Sequence, residues 1–388
     1  TMPLAQDSKL IFCLDEPRHT GAHLFLLRLR EFLLQQDCEV SIVSEVPYSV
    51  RNSYVTPKSP AGWKALLAEV QPDLGVGVFG RTTEFALALR SNGIARTWMC
   101  LVAAWLSSAD GEKARQANLL VYDHVIVPSH ATALELSAPL EVNVRRIGQG
   151  VDTDLFQRYA SADVALLRTQ LGIREDDFVL GYAGRFSADK NQMGLVAGLA
   201  GLARDEGIQG RRYQLILCGP PPTNLEREYA QQLLKAARDL RIENRVHIHF
   251  IEHAQLPLWY SCYDLMVSLS SSETFGLSTI ESLACGTPLI ALEIPALCES
   301  LDFYPKQWLL PKPDRIWEKV KRLSKGELQQ VGRWAAQMVR EKRDLRKSLH
   351  EHAQYFEQLI AGSSSLTRPT ATGAIADGVG TMPTGPLA

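Results

Sequence analysis

The sequence predicts an α/β protein made of two doubly wound domains. Three observations carry that expectation. Short apolar runs alternate with amphipathic stretches, which implies parallel sheets covered by helices on both faces. The alternation stops near residue 148 and restarts near residue 178. At 388 residues the chain is also too long for one ordinary core.

In the first half, Lys9–Leu14, Glu39–Val43, Leu74–Val78, Arg96–Leu101 and His124–Val127 read as strands. Ala22–Gln36 reads as a helix with Leu24, Leu27, Leu29, Phe32 and Leu33 on a broad apolar face. The run Ile147-Gly148-Gln149-Gly150-Val151-Asp152-Thr153-Asp154-Leu155-Phe156 interrupts the rhythm and sets a hinge near 148–160. Strands resume at Phe178–Ala183, Gln214–Cys218, Val246–Phe250, Leu265–Leu269 and Pro288–Leu292. Past residue 325 the chain turns helical and charged to about Ile360. From Gly362 it is rich in Ser, Thr, Gly, Pro and Ala without periodicity, the composition of a disordered tail. The expected units are Rossmann-like domains over 1–156 and 157–335, a C-terminal helix over 336–361 and a tail over 362–388. The cleft between the two domains is the expected ligand site.

Composition narrows the function classes. Hydrophobic residues make up 46% and charged residues 22%, ordinary for a globular protein. A net charge of −2 gives no basic footprint for nucleic acid. The seven cysteines are scattered and none forms a C-x-x-C pair, which fits reduced, buried thiols in a cytoplasmic protein. No charged-then-apolar leader opens the sequence, and no stretch approaches the ~18 apolar residues of a membrane span. A soluble protein is expected, with membrane contact at most peripheral. Arg28 and Arg30 stand among leucines in a manner that suits a bilayer surface. Yet residues 1–150 hold 14 Lys/Arg against 15 Asp/Glu, so an internal amphipathic helix is the plainer reading.

The candidate chemistry lies mostly in the second half. Gly181-Tyr182-Ala183-Gly184-Arg185-Phe186 is a strand ending in glycine and arginine, with Lys190 and Asn191 just before an apolar helix. Gly184 lets a ligand approach the backbone, and Arg185 and Lys190 offer two positive charges to a diphosphate. Cys218-Gly219-Pro220-Pro221-Pro222 is a second strand ending in a rigid turn. His247-Ile248-His249-Phe250-Ile251-Glu252-His253 invites a zinc reading, but no cysteine or carboxylate is spaced to complete a site, so no metal is expected. The fourth stretch, SSSETFGLSTIESLACGTPLIA over 270–291, holds Glu273 and Glu281 around a turn that leads into a helix. Ser278 and Glu281 fit an S-x-x-E capping box. The helix amino end favours an anion, and a single carboxylate can accept from two adjacent hydroxyls.

Taken in order, GYAGRF…KN, RVHIHF and SSSETFGLSTIESLACGTPLIA, with VIVPSHAT and GQGVDTDLF upstream, resemble the retaining GT-B glycosyltransferases of the GT4 family. The likeness spans most of residues 8–300. It implies a GT-B fold, two Rossmann-like domains facing a cleft, with the C-terminal helix returning to the first domain. It also implies transfer of a sugar from a nucleotide-diphosphate sugar to an acceptor hydroxyl, with retention by front-face attack. Arg185 and Lys190 would bind the donor diphosphate, Glu273 the sugar and Glu281 the ribose. Gly21, Gly184, Phe275, Gly276 and Leu277 would line the phosphates or the sugar, and Ile251 would lie against the base. Arg, Lys and helix dipoles would take the place of a metal, so no cofactor is implied. The acceptor class, whether carbohydrate, lipid-linked, protein or small molecule, is left open.

The first half departs from the family pattern. Arg18-His19-Thr20-Gly21-Ala22-His23 keeps one glycine where the family often has two, and Arg96-Thr97-Trp98-Met99-Cys100-Leu101 lacks a histidine usual after that strand. Leu292-Glu293-Ile294-Pro295-Ala296-Leu297-Cys298-Glu299 lacks a further glycine pair but retains Glu299. These departures suggest a donor sugar without the usual polar 6-position, and motivate a rival reading as a catalytically silent protein that binds a nucleotide sugar or a partner. His19 and His23 are candidate acceptor-side groups. A dinucleotide oxidoreductase is disfavoured because Leu14-Asp15-Glu16-Pro17 stands where G-x-G-x-x-G would be.

Overall fold

A computed structural model describes residues 7–14, 21–46, 48–78, 82–99, 119–136, 143–206 and 210–363. Two all-parallel sheets organise them. The first comprises β1 (Lys9–Leu14), β2 (Glu39–Ser44), β3 (Ser53–Val55), β4 (Leu74–Val78), β5 (Ala95–Met99), β6 (His124–Val127) and β7 (Asn143–Arg146). Their order is β3-β2-β1-β4-β5-β6-β7. The second comprises β8 (Phe178–Ala183), β9 (Tyr213–Gly219), β10 (Val246–Phe250), β11 (Leu265–Ser268), β12 (Leu289–Leu292) and β13 (Leu309–Leu310). Their order is β10-β9-β8-β11-β12-β13. Strand order reverses between β1 and β4 in one sheet and between β8 and β11 in the other. In doubly wound sheets a ligand crevice opens at that reversal, outside the carboxyl ends of the strands.

Central strands are buried on both faces and so read as unbroken apolar runs, such as FVLGYA and YQLILCG. β3, β7 and β13 are not among the strands expected from the sequence. β3 has no buried residue, all four residues of β7 are exposed, and β13 is two residues long at the edge of its sheet. A strand with no face to bury leaves no apolar signature.

The first sheet carries a core on each face. One joins Leu10, Phe12 and Val76 to Phe25, Leu29 and Leu33 of the Gly21–Leu34 helix. Leu349, Ala353, Phe356 and Leu359 of the Leu345–Ser363 helix complete it. The other joins Ile11, Val43 and Val125 to Trp63, Phe85 and Tyr122. Arg30 faces inward, donating to Arg51 O at 2.7 Å and Val40 O at 3.3 Å, so this arginine ties its helix to the sheet. The second sheet has one continuous core that includes Leu328, Ala335 and Val339 of the Lys325–Lys342 helix. The helical C-terminal stretch is therefore two helices, broken at Arg343 and Asp344, one on each domain.

That break is where the chain passes between domains for the second time. Val151 N donates to Arg343 O at 2.8 Å and Leu345 N to Val151 O at 2.9 Å, a parallel bridge between the two crossings. A Cβ on Gly150 would lie 2.6 Å from Leu345 Cα, so only glycine lets the crossings approach this closely. Asp344 fixes the junction, accepting from Thr153 Oγ1 at 2.6 Å and from Arg346 Nε and N at 3.0 and 2.9 Å. Burial would raise its carboxyl, but these hydrogen bonds prevail and hold the pKa at about 2.

Candidate functional site

At the β8/β11 reversal two loops meet. The first leaves β8 at Gly184, whose N donates to Cys218 O at 2.9 Å. It runs through Arg185 to Lys190 and ends at Asn191. Asn191 sits at φ 54° and caps the Gln192–Arg204 helix, accepting from Gly194 N at 3.1 Å. Gln192 Nε2 pins the loop by donating to Arg185 O at 2.6 Å.

The second loop leaves β11 and runs from Leu269 to Gly276. Ser271 N donates to Asp189 O at 2.9 Å, stitching the loops together. Lys190 Nζ lies 2.6 Å from Glu273 Oε1 and donates to Ser272 O at 3.1 Å. Both side chains of this pair are largely buried, at 11% and 13% exposure. Arg185 differs. It is 27% exposed, and the Asp189 carboxylate stands 3.8 Å away, beyond hydrogen-bond reach. Its guanidinium donors therefore remain available to an incoming anion.

Gly276 ends the second loop in the left-handed region, φ 79°, and caps the Leu277–Ala284 helix. A Cβ there would meet Leu297 Cδ2 at 2.3 Å. The first amides of this helix have no intrahelical acceptor and carry its positive dipole end. The capping box expected from Ser278 to Glu281 does not form. The helix starts at Leu277, so Glu281 falls inside it, and Thr279 bonds Gly276 O through Oγ1 at 2.6 Å and N at 3.0 Å.

Glu281, 5% exposed, is instead held by two side chains. His253 Nε2 lies 2.8 Å from Oε1, and Tyr260 Oη donates to Oε2 at 2.9 Å. Burial would depress the His253 imidazole, but the charge and hydrogen bond of Glu281 override it and raise the pKa above the ordinary value. Neither partner was marked by the sequence. His253 stands out there only within the histidine run 247–253, and Tyr260 carries no local signal. The other two histidines have structural neighbours: His247 meets Gln214 Oε1 at 3.2 Å, and His249 packs on Trp259 with ring centroids 4.6 Å apart.

The remaining expected residues are distributed as follows. Ile251 follows β10, its N donating to Gly219 O at 2.8 Å. Phe275 is buried and faces the hinge, where a Cβ on Gly148 would come within 3.3 Å of its ring. Gly21 opens the first long helix, and His23 is buried in that helix's first turn. His19 lies outside the described residues. Among the described residues, no three His, Cys, Asp or Glu side chains come together as a metal site would require. No described helix is long and apolar enough to cross a membrane.

One further residue joins the domains. Glu299 accepts from His130 N at 2.6 Å and Ala131 N at 3.4 Å, and pairs with Arg146 at 2.7 Å. Thr132 Oγ1 adds a bond to Thr274 O at 3.4 Å beside the cleft.

Residues 163–338 match the family described as "Glycosyl transferases group 1". The matched span contains the paired loops, Glu273 and Glu281. Among curated proteins, the chain is similar to D-inositol 3-phosphate glycosyltransferase 1 of Catenulispora acidiphila, 36% identical over 182 residues, 47% of this chain and 42% of that protein. It is also similar to alpha-monoglucosyldiacylglycerol synthase of Streptococcus pneumoniae, 31% identical over 179 residues, 45% of this chain and 38% of that protein. The chain thus matches about two fifths of the length of these relatives. Among solved structures, sucrose-phosphate synthase from Thermosynechococcus elongatus superposes with a TM-score of 0.76 at 18% identity, covering 92% of this chain and 100% of the other. Anabaena Alr3699/HepE in complex with UDP and glucose gives 0.73 at 19% identity, covering 90% and 100%. The two domains therefore share the GT-B fold of those proteins.

Proposed function

We propose that the protein is a retaining glycosyltransferase that moves a sugar from a nucleotide-diphosphate sugar to an acceptor hydroxyl. One observation carries this reading. Arg185, Lys190, Glu273 and the Gly276 helix start converge from two loops at the β8/β11 reversal, although Lys190 and Glu273 stand 83 residues apart in sequence. A diphosphate at the helix start meets an available guanidinium and an ammonium. The ammonium is poised between Glu273 and the incoming phosphate, so it can carry charge as the nucleotide departs. Glu273 accepts from the sugar hydroxyls. Glu281, locked in one rotamer by His253 and Tyr260, offers its remaining lone pairs to the ribose. These cations and the helix dipole supply the leaving-group stabilisation that a metal gives elsewhere, so the reaction is proposed to be metal-independent.

The name of the glycosyltransferase relative supports sugar transfer, and the complex of HepE with UDP and glucose supports a nucleotide-sugar donor. Retention is proposed through front-face attack, with the departing phosphate assisting deprotonation of the acceptor hydroxyl. The test is turnover of UDP-, GDP-, dTDP- and ADP-sugars, with the anomeric configuration of the product read by NMR and the rate repeated in EDTA. Retained configuration and an unchanged rate are expected. An inverted product or loss of activity in EDTA would contradict the mechanism. Binding without turnover of any sugar would favour a silent nucleotide-sugar-binding protein. Turnover of ordinary hexose donors alone would reject the deoxysugar or pentose expectation.

A further inference from the structure

The opposite end of the second sheet's strands holds a cavity of about 450 Å³, within the size range of small-molecule sites. Tyr263 and Asp264 line it just before β11, and Gly286 and Pro288 just before β12. It therefore opens at the amino ends of the strands, whereas the paired loops leave the carboxyl ends of β8 and β11. Arg158, Lys325, Arg333 and Arg340 also line it. Asp264, the only acid on its wall among the described residues, is already engaged by Arg168 at 3.1 Å and by Val179 N at 2.8 Å. Lys325 stands 3.8 Å from the same carboxylate and donates to Asp177 O at 2.9 Å. The guanidiniums of Arg158, Arg333 and Arg340 have no carboxylate within ion-pair distance among the described residues, and Arg158 meets only the Thr287 hydroxyl, at 3.3 Å.

Three guanidiniums without an ion pair among the described residues thus line one cavity, and in a chain of net charge −2 they do not reflect a general basic excess. Guanidiniums recognise phosphate oxygens in a bidentate manner. We infer that this cavity is a second anion site that takes a phosphate group borne by a small molecule or by a lipid headgroup, separate from the paired-loop site.

The test is thermal unfolding of the full chain against increasing inorganic phosphate, with Arg333→Ala/Arg340→Ala and Arg185→Ala in parallel. Both substituted arginines of the double variant are exposed on the Lys325–Lys342 helix, so the fold is kept. The expected result is a saturable rise in Tm that persists in the Arg185 variant and is lost in the double variant. Arg158→Gln, on a different segment, should repeat the loss. A second arm sediments the protein with phosphatidylglycerol vesicles. Binding that is lost in the double variant, with no Tm response to free phosphate, assigns the lipid source. A rise that survives in the double variant, or one that disappears in the Arg185 variant instead, overturns the inference. So does a wild type that responds neither to phosphate nor to vesicles.

Discussion

The two domains share one architecture and differ in what they place at its focal point. In each, strand order reverses beside the first strand, at β1/β4 and at β8/β11. In the second domain that crevice holds an arginine, a lysine–glutamate pair and a glycine-capped helix. In the first, the described elements around the reversal supply mainly packing. His23 is buried, Arg30 bonds two backbone carbonyls, and Phe356 of the returning helix fills the core. Among the described residues, equivalent scaffolds thus differ: the second domain carries the charged loops, and the first is held against it by Glu299 and the double crossing.

Substitutions that break this division should act in a definite order. Lys190→Ala removes a cation from the charged loop and leaves the buried Glu273 carboxylate unpaired. Transfer is expected to fall about 10²- to 10³-fold in kcat/KM, the scale of losing one leaving-group stabiliser. An unchanged kcat/KM in a folded variant would remove the loop from the mechanism. Phe356→Ala should cost about 3–5 kcal/mol in urea unfolding, because its ring is fully buried between helix and sheet. That loss belongs to the first domain, so nucleotide affinity measured below the transition should hold. A parallel fall in affinity would show that the domains do not divide labour as described.

Gly150→Ala acts between the domains. Its new Cβ would press on the Leu345 backbone, at a cost of about 1–3 kcal/mol in the same assay. Unaltered stability would mean that the crossings are looser than their hydrogen bonds imply. The smallest effect is expected for His253→Gln, about 1 kcal/mol or roughly fivefold in nucleotide-sugar affinity, through a less firmly held Glu281. Here pH supplies a signature. The folded His253 pKa is raised above 6.5, so its stabilisation is complete below that value and fades as pH climbs through the raised pKa. The Tm gap between wild type and His253→Gln should accordingly narrow toward alkaline pH. A gap that widens there would contradict the His253–Glu281 assignment.

Much of this was readable beforehand, for physical reasons that also explain the gaps. Buried parallel strands have to be apolar throughout, so β1, β4, β8 and β9 announced themselves, while the exposed β7 did not. The loops after β8 and β11 showed through their glycines and charges, because such residues are unusual at the end of an apolar run. Glu281 was legible as a residue but misread as a cap. Its partners His253 and Tyr260 come from other elements, and no local pattern encodes a contact between side chains 28 and 21 residues away. The Glu299 contact to His130, 169 residues distant, was hidden for the same reason.

Nucleotide-sugar binding in the β8/β11 crevice is the central claim. The most direct measurement is the Tm of the full chain against UDP-, GDP-, dTDP- and ADP-sugars, with wild type beside Arg185→Ala and Glu281→Ala. One nucleotide class should raise the Tm of wild type saturably, and both variants, folded in its absence, should lose most of that rise. A folded wild type that responds to none of the four, or variants that respond as fully as wild type, would contradict the claim.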